Sequence, residues 1–144
     1  MLFRSLVAIP VLVVIHTPDL RVLLLERADH PGFWQSVTGS KDSLEEPLWE
    51  TCQREVREET GLNDLVFDWG ADCRETPPYR GGKVARYYIA SSARGEVYLP
   101  VSEELGRPEH HEFRWLDYPS ARARLAERVK PILDWANALV TGSA

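Results

Sequence analysis

The chain has 144 residues, 44% hydrophobic, 27% charged and 10% aromatic, which are the proportions of a globular protein with its own core and not of a disordered segment. A net charge of −5 and a pI near 5.4 argue against broad binding to nucleic acid or to an anionic membrane, since both require a basic footprint. One domain is expected; no internal repeat, low-complexity segment or interdomain linker interrupts the pattern.

Residues 3–15 are rich in Val, Ile and Leu, and after the turn chemistry of Thr17-Pro18-Asp19 a second apolar run extends from Arg21 to Arg27. The two read as paired strands. Leu6 to Ile15, following Arg4, has the look of a signal-peptide core. However, no small-residue cleavage site follows, and the run is too short to span a bilayer. Pro10 has no N–H for a ladder and is expected at a bulge or on an unpaired side. Arg27, ending the second strand, is a candidate for a substrate phosphate or, equally, an ordinary surface arginine.

The loop 28–32 leads into Phe33 to Thr38, a short aromatic and β-branched strand that delivers the chain to Gly39. Glycine there lets the backbone approach a ligand closely. Pro47 suits the first position of a helix and keeps Glu46 out of the helical region. A helix is therefore expected from Pro47 to Thr60, with Gly61 as its left-handed terminator.

Steps of about 100° around that helix place Leu48, Trp49, Cys52 and Val56 in one arc, and Glu50, Gln53, Arg54 and Arg57 opposite. Glu59 projects in line with Leu48 and Cys52, and Glu55 and Glu58 sit at the edge of the same arc. Like charges at these spacings repel by about 0.2–0.5 kcal/mol per pair. Acid in the last turn also opposes the helix dipole. A solvated charged face is the ordinary reading of such a helix, but the phase of these carboxylates points inward. A hard divalent cation turns the repulsion into binding. Magnesium suits few carboxylates plus substrate phosphates, with manganese as the substitute.

Further along, Leu65, Val66, Phe67 and Trp69 suggest a strand within residues 62–74, and Pro77 to Gly82 is a turn-rich loop suited to a substrate rim. Lys83 to Ser91 reads as a strand, Glu96 to Pro100 as a short one, and Val101 to Glu109 as polar loop. His111 to Leu116 alternates as a half-buried strand should. His110 and His111 are adjacent and, in a strand, face opposite ways, which discounts a zinc pair. Tyr118 to Val140 is helical by pattern, with Ser120 as cap and Leu125, Val129, Ile132, Leu133, Trp135, Ala136 and Leu139 facing inward. Pro131 should break it into two helices. Cys52 and Cys73 lack metal-ligand or CxxC spacing and read as free thiols of a reducing, cytoplasmic setting.

From Gly39 to Leu62 the chain resembles the Nudix box: Gly, five residues, Glu, seven residues, Arg-Glu, an aliphatic, any residue, Glu-Glu, any residue, Gly, an aliphatic. Arg54-Glu55-Val56-Arg57-Glu58-Glu59 and Gly61-Leu62 match throughout. Six residues, not five, separate Gly39 from Glu46; Glu45 would restore that spacing but spoil the next, so Glu46 is favoured.

The resemblance implies an α+β fold, an α/β/α sandwich with a mixed β-sheet, and hydrolysis of a phosphoanhydride in a nucleoside-triphosphate-like small molecule. By the same resemblance Glu55, Glu58, Glu59 and the Gly39 carbonyl are metal ligands, and Arg54 orients a glutamate. Glu46 supports the site, and one of the box glutamates doubles as base. Glu109 is either a further acid from outside the box or part of a solvated loop.

For the substrate, Phe33 to Ser40, Glu109-His110 and Trp115-Leu116-Asp117 are similar to the dihydroneopterin triphosphate pyrophosphohydrolases of bacterial folate synthesis. Residues 74–89 lack the longer Arg- and His-rich segment of that group. Lys83 to Tyr88 and Glu109 to Leu116 are also similar to diadenosine tetraphosphate hydrolases, which usually carry Pro-Lys-Gly where this chain has Thr38-Gly39-Ser40. A pterin needs a flat apolar wall, for which Phe33, Trp34 and Tyr79 are the candidates, Trp34 being equally suited to the core. A non-catalytic Nudix-fold binding module is the alternative of another class. Such modules typically lose box glutamates, and none is missing here.

Overall fold

The computed structural model describes residues 6–15, 20–39, 48–70, 72–79, 81–93, 95–108 and 110–142. Glu46, Glu109, Pro47, Ser40, Glu45 and the turn Thr17-Pro18-Asp19, all singled out above, lie outside the described residues.

The strands are β1 (Leu6–Ile15), β2 (Arg21–Arg27), β3 (Trp34–Gln35), β4 (Val37–Gly39), β5 (Arg74–Glu75), β6 (Val84–Ser91) and β7 (His110–Asp117). The helices are α1 (Leu48–Thr60), α2 (Tyr118–Arg124) and α3 (Lys130–Thr141), with a 3-10 turn at Glu127–Val129. β1 runs parallel to β6 on one edge; on the other, its end pairs β2 and its first half pairs β4, both antiparallel. β2 carries β7 antiparallel along its length and β3 near its end, and β5 closes the far edge on β6. The sheet is mixed, as the family resemblance implied.

Alternation along the strands decides what each face covers. Leu12, Val14, Val22, Leu24, Tyr87 and Ile89 join Leu125, Ile132, Leu133 and Ala136 of the C-terminal helical segment in one buried cluster. Val11, Val13, Leu23, Leu25, Tyr88 and Ala90 join Cys52 and Val56 of α1 in another. The sheet is thus sandwiched between α1 on one face and α2 with α3 on the other. Burial pushes the Cys52 thiol up to about 12, so it packs as a small apolar group.

Several expectations need correction. Phe33 to Thr38 is not one strand. It divides at buried Ser36 into β3, which pairs β2, and β4, which changes partner to β1. Among the described residues, 62–73 form only an isolated bridge from Val66 to Ser91, because the turn at Asp68 to Gly70, with Gly70 at φ 56°, ends the ladder there; pairing resumes at Arg74 in β5. Glu96 to Pro100 forms no strand; its one backbone tie to α1 is the Tyr98 N–H to the Thr60 carbonyl.

The last helical segment breaks at Leu125, six residues before Pro131, which instead occupies the first turn of α3 where its missing N–H costs nothing. The cap of α2 is Asp117, accepting from the Ser120 N–H, and not Ser120 itself. Pro10 lies in the gap between the Ala8 and Val11 registers with β6, aligned with Thr38 of β4 on its other side. No helix is long and apolar enough to cross a membrane among the described residues.

Candidate active site

α1 is built as its sequence dictates, with Cys52 and Val56 buried and Glu50, Gln53 and Arg57 exposed. Arg54 departs from the expected polar face. Its side chain is only 17% exposed, and its Nη1 donates to Glu55 Oε1 at 2.9 Å and Glu58 Oε2 at 3.4 Å. The guanidinium thus holds two like-charged side chains one turn apart, offsetting the repulsion noted above. The Glu59 Oε2 atom is buried. Gly61, at φ 76°, ends the helix and donates its N–H to the Arg57 carbonyl at 2.9 Å.

Glu55, Glu58 and Glu59 open onto one cavity of about 500 Å³, completed by residues 99–104 and by His110. Glu103 and Glu104 add carboxylates to its wall, and among the described residues no Lys or Arg lines it. Several carboxylate oxygens gathered in one cleft are the chemistry a hard divalent ion requires, and Arg54 occupies only one oxygen of Glu55 and one of Glu58, so the residues fit such an ion. Gly39 ends β4, a strand that packs against α1.

Phe33, Trp34 and Tyr79 are brought together, but not with the glutamates. They line a separate slot of about 100 Å³ with Thr38, Tyr87 and Arg128, on the face covered by α3. Trp34 packs against that core while the Arg114 and Arg124 guanidinium carbons lie 5.7 and 5.8 Å from its ring centre. Arg128 stacks on Tyr79 at 4.1 Å. Arg27, at the end of β2, grips Asp29 with two hydrogen bonds of 2.8 and 2.7 Å, which hold the Asp29 carboxyl down to about 2.

Sequence reasoning missed His110 as a cavity residue, weighing it as half of a zinc pair and as part of the Glu109-His110 resemblance, but assigning it no role in the site. The β2–β7 ladder shifts register between Glu26 and Arg27, so His111 has no partner position of its own between Glu112 and His110. His111 is exposed and its Nε2 meets Glu26 at 2.6 Å, whereas His110 is 2% exposed and faces the acidic cavity. Burial, and then the nearby Arg27 charge, lower its pKa to about 4. Its Nε2 lies 2.9 Å from Gln35 Nε2. The alternation that set His111 against His110 was the available signal.

Glu26, His111 and Glu112 place ligand atoms within 4.8 Å of one another. That group is satisfied without an ion: the Gly32 N–H and His111 bind Glu26, and Arg114 binds Glu112.

A NUDIX domain profile matches residues 7–136. The chain belongs to the Nudix hydrolase family. It is 56% identical over 120 residues to the dihydroneopterin triphosphate diphosphatase of Haemophilus influenzae, covering 77% of this chain and 75% of that one. It is 35% identical over 124 residues to the enzyme of the same name from Escherichia coli K12, covering 80% and 81%. Its fold superposes on a C. elegans Ap4A hydrolase with a TM-score of 0.76 at 23% identity, covering 94% of this chain and 98% of that one. This Nudix chain thus has the box glutamates in one cavity and the mixed-sheet sandwich of its structural neighbours.

Proposed function

We propose that this Nudix hydrolase is a cytoplasmic, magnesium-dependent pyrophosphohydrolase acting on dihydroneopterin triphosphate. The observation that supports the substrate is the 56% identity, over three quarters of each chain, to a relative named for that reaction. Glu55, Glu58, Glu59 and the Gly39 carbonyl would hold the cation. When bound, it neutralises phosphate oxygens and lowers the pKa of coordinated water.

The protein's own part is to place the polyphosphate and to move one proton. One of the three box carboxylates takes the proton of the attacking water as its oxygen bonds to phosphorus and the bridging P–O bond breaks. Arg54, bonded to Glu55 and Glu58, keeps those carboxylates from turning away. Glu46 supports this set. Arg27 is the candidate partner of a phosphate, for which it would have to exchange its Asp29 contact, and Glu109 is the candidate further acid. Phe33, Trp34 and Tyr79, in a slot on the other face of the sheet, take no part in this reading.

The test is the ratio of kcat/KM for dihydroneopterin triphosphate to that for diadenosine tetraphosphate at one magnesium concentration. A ratio well above one is expected, because a site that hydrogen-bonds one ring's edge rejects rings lacking those groups. A ratio below one would move the chain to the dinucleoside polyphosphate hydrolases and leave the hydrolase reading intact.

A further inference from the structure

His110 is the one group lining the acidic cavity that can donate a hydrogen bond from a buried ring. The Gln35 side-chain amide nitrogen lies 2.9 Å from His110 Nε2, and with that N–H donating to Nε2 the ring proton sits on Nδ1. Among the described residues, no protein atom bonds Nδ1. In a ring only 2% exposed an inaccessible atom without a partner would be conspicuous, and among the described residues Nδ1 is not such an atom. Nδ1 therefore retains access to the cavity that the ring lines.

We propose that His110 is a substrate-binding residue whose Nδ1–H donates to a non-bridging phosphate oxygen of the polyphosphate held against the box glutamates. The inference rests on the reading of that cavity as a phosphoanhydride site, and names a contact which that reading does not contain. Neutrality suits the task. An imidazolium beside Glu55, Glu58 and Glu59 would compete with a divalent cation for their charge, whereas a neutral N–H adds a hydrogen bond and leaves the carboxylates to the metal. The burial that costs the protein a charged histidine is what keeps this donor neutral. Gln35 is then a positioning residue, fixing the tautomer from behind.

Two variants separate this from a structural role. His110→Phe keeps the ring volume and removes both nitrogens. His110→Asn keeps an N–H near the place of Nδ1 while giving up the acceptor at the place of Nε2. With the magnesium-loaded enzyme and whichever triphosphate the wild type hydrolyses, His110→Phe should lower kcat/KM by about 10- to 100-fold, and His110→Asn should recover most of it. A second readout does not depend on turnover. Nitrogen NMR of the wild type should show a protonated Nδ1 whose resonance moves when pyrophosphate and magnesium are added together.

A folded His110→Phe protein with wild-type kcat/KM, or an Nδ1 resonance indifferent to pyrophosphate, would overturn the proposal. Should the wild type reject dihydroneopterin triphosphate but hydrolyse another phosphoanhydride, the substrate reading fails. The His110 comparison is then decided on that substrate.

Discussion

At the scale of single residues, His110 couples the site to the stability of the fold. Its pKa of about 4 in the folded protein lies below the ordinary imidazole value of 6.5. The unfolded chain therefore takes up a proton that the folded chain refuses as pH falls through that window. The sign follows: stability contributed by neutral His110 is fully present above pH 6.5 and is lost progressively toward pH 4. A shift of this size corresponds to roughly 3 kcal/mol at most. Urea unfolding at pH 7 and at pH 4.5 measures the loss. Carboxylates held low by their partners, among them Asp117 and Asp134, add their own acid sensitivity at the bottom of the range. The comparison with His110→Asn isolates the histidine: the variant should lose about 2 kcal/mol less than the wild type between the two pH values. Equal losses would mean that the ring is already protonated in the folded state at pH 4.5.

At the scale of elements, α1 and its terminator determine where the carboxylates stand. Gly61 has φ 76°, and a Cβ added there would come within 2.0 Å of the Tyr98 ring. That ring is 62% exposed and can swing aside, so the backbone conformation is the larger cost. Gly61→Ala should destabilise by about 1–2 kcal/mol, read as a lower urea midpoint. The same substitution in a Tyr98→Ala background should cost the same to within about 0.5 kcal/mol. A cost that vanished in that background would put the clash ahead of the dihedral. The helix was legible because Pro47, Gly61 and the apolar arc of Cys52 and Val56 are local signals that agree. Arg54 was not, because helical phase says which way a Cα–Cβ bond points, whereas a long arginine can fold back onto its own carboxylates. The β3–β4 division at Ser36 was equally hidden. The one interruption of the pattern, two successive polar residues at Gln35-Ser36, is too slight to announce a change of partner, and it is the arrival of β1 that breaks the strand.

At the scale of the whole molecule, the box motif indicated the fold class and the gathering of Glu55, Glu58 and Glu59, since spacing along one helix survives folding unchanged. The cleft that faces them comes from residues 99–104 and His110, some forty residues later, and long-range placement of that kind leaves no local trace. The same limit explains why Phe33, Trp34 and Tyr79, grouped by composition, emerge on the opposite face of the sheet. A net charge of −5 with five carboxylates around one cavity means that the cation should be felt by the fold itself. At a magnesium concentration one hundred times its dissociation constant, binding to the folded chain alone contributes about 2.7 kcal/mol. For a chain of this size that is on the order of 5–10 °C in Tm. Glu59→Gln should abolish most of that rise and collapse turnover. It should also melt no lower than the wild type in EDTA, because removing one of several like charges relieves repulsion by a few tenths of a kcal/mol, about one helical pair's worth. Calorimetry with and without magnesium on both proteins decides the point. A Glu59→Gln protein that kept the full magnesium-dependent rise in Tm would place the cation elsewhere, and Glu26, His111 and Glu112 would be the next place to look.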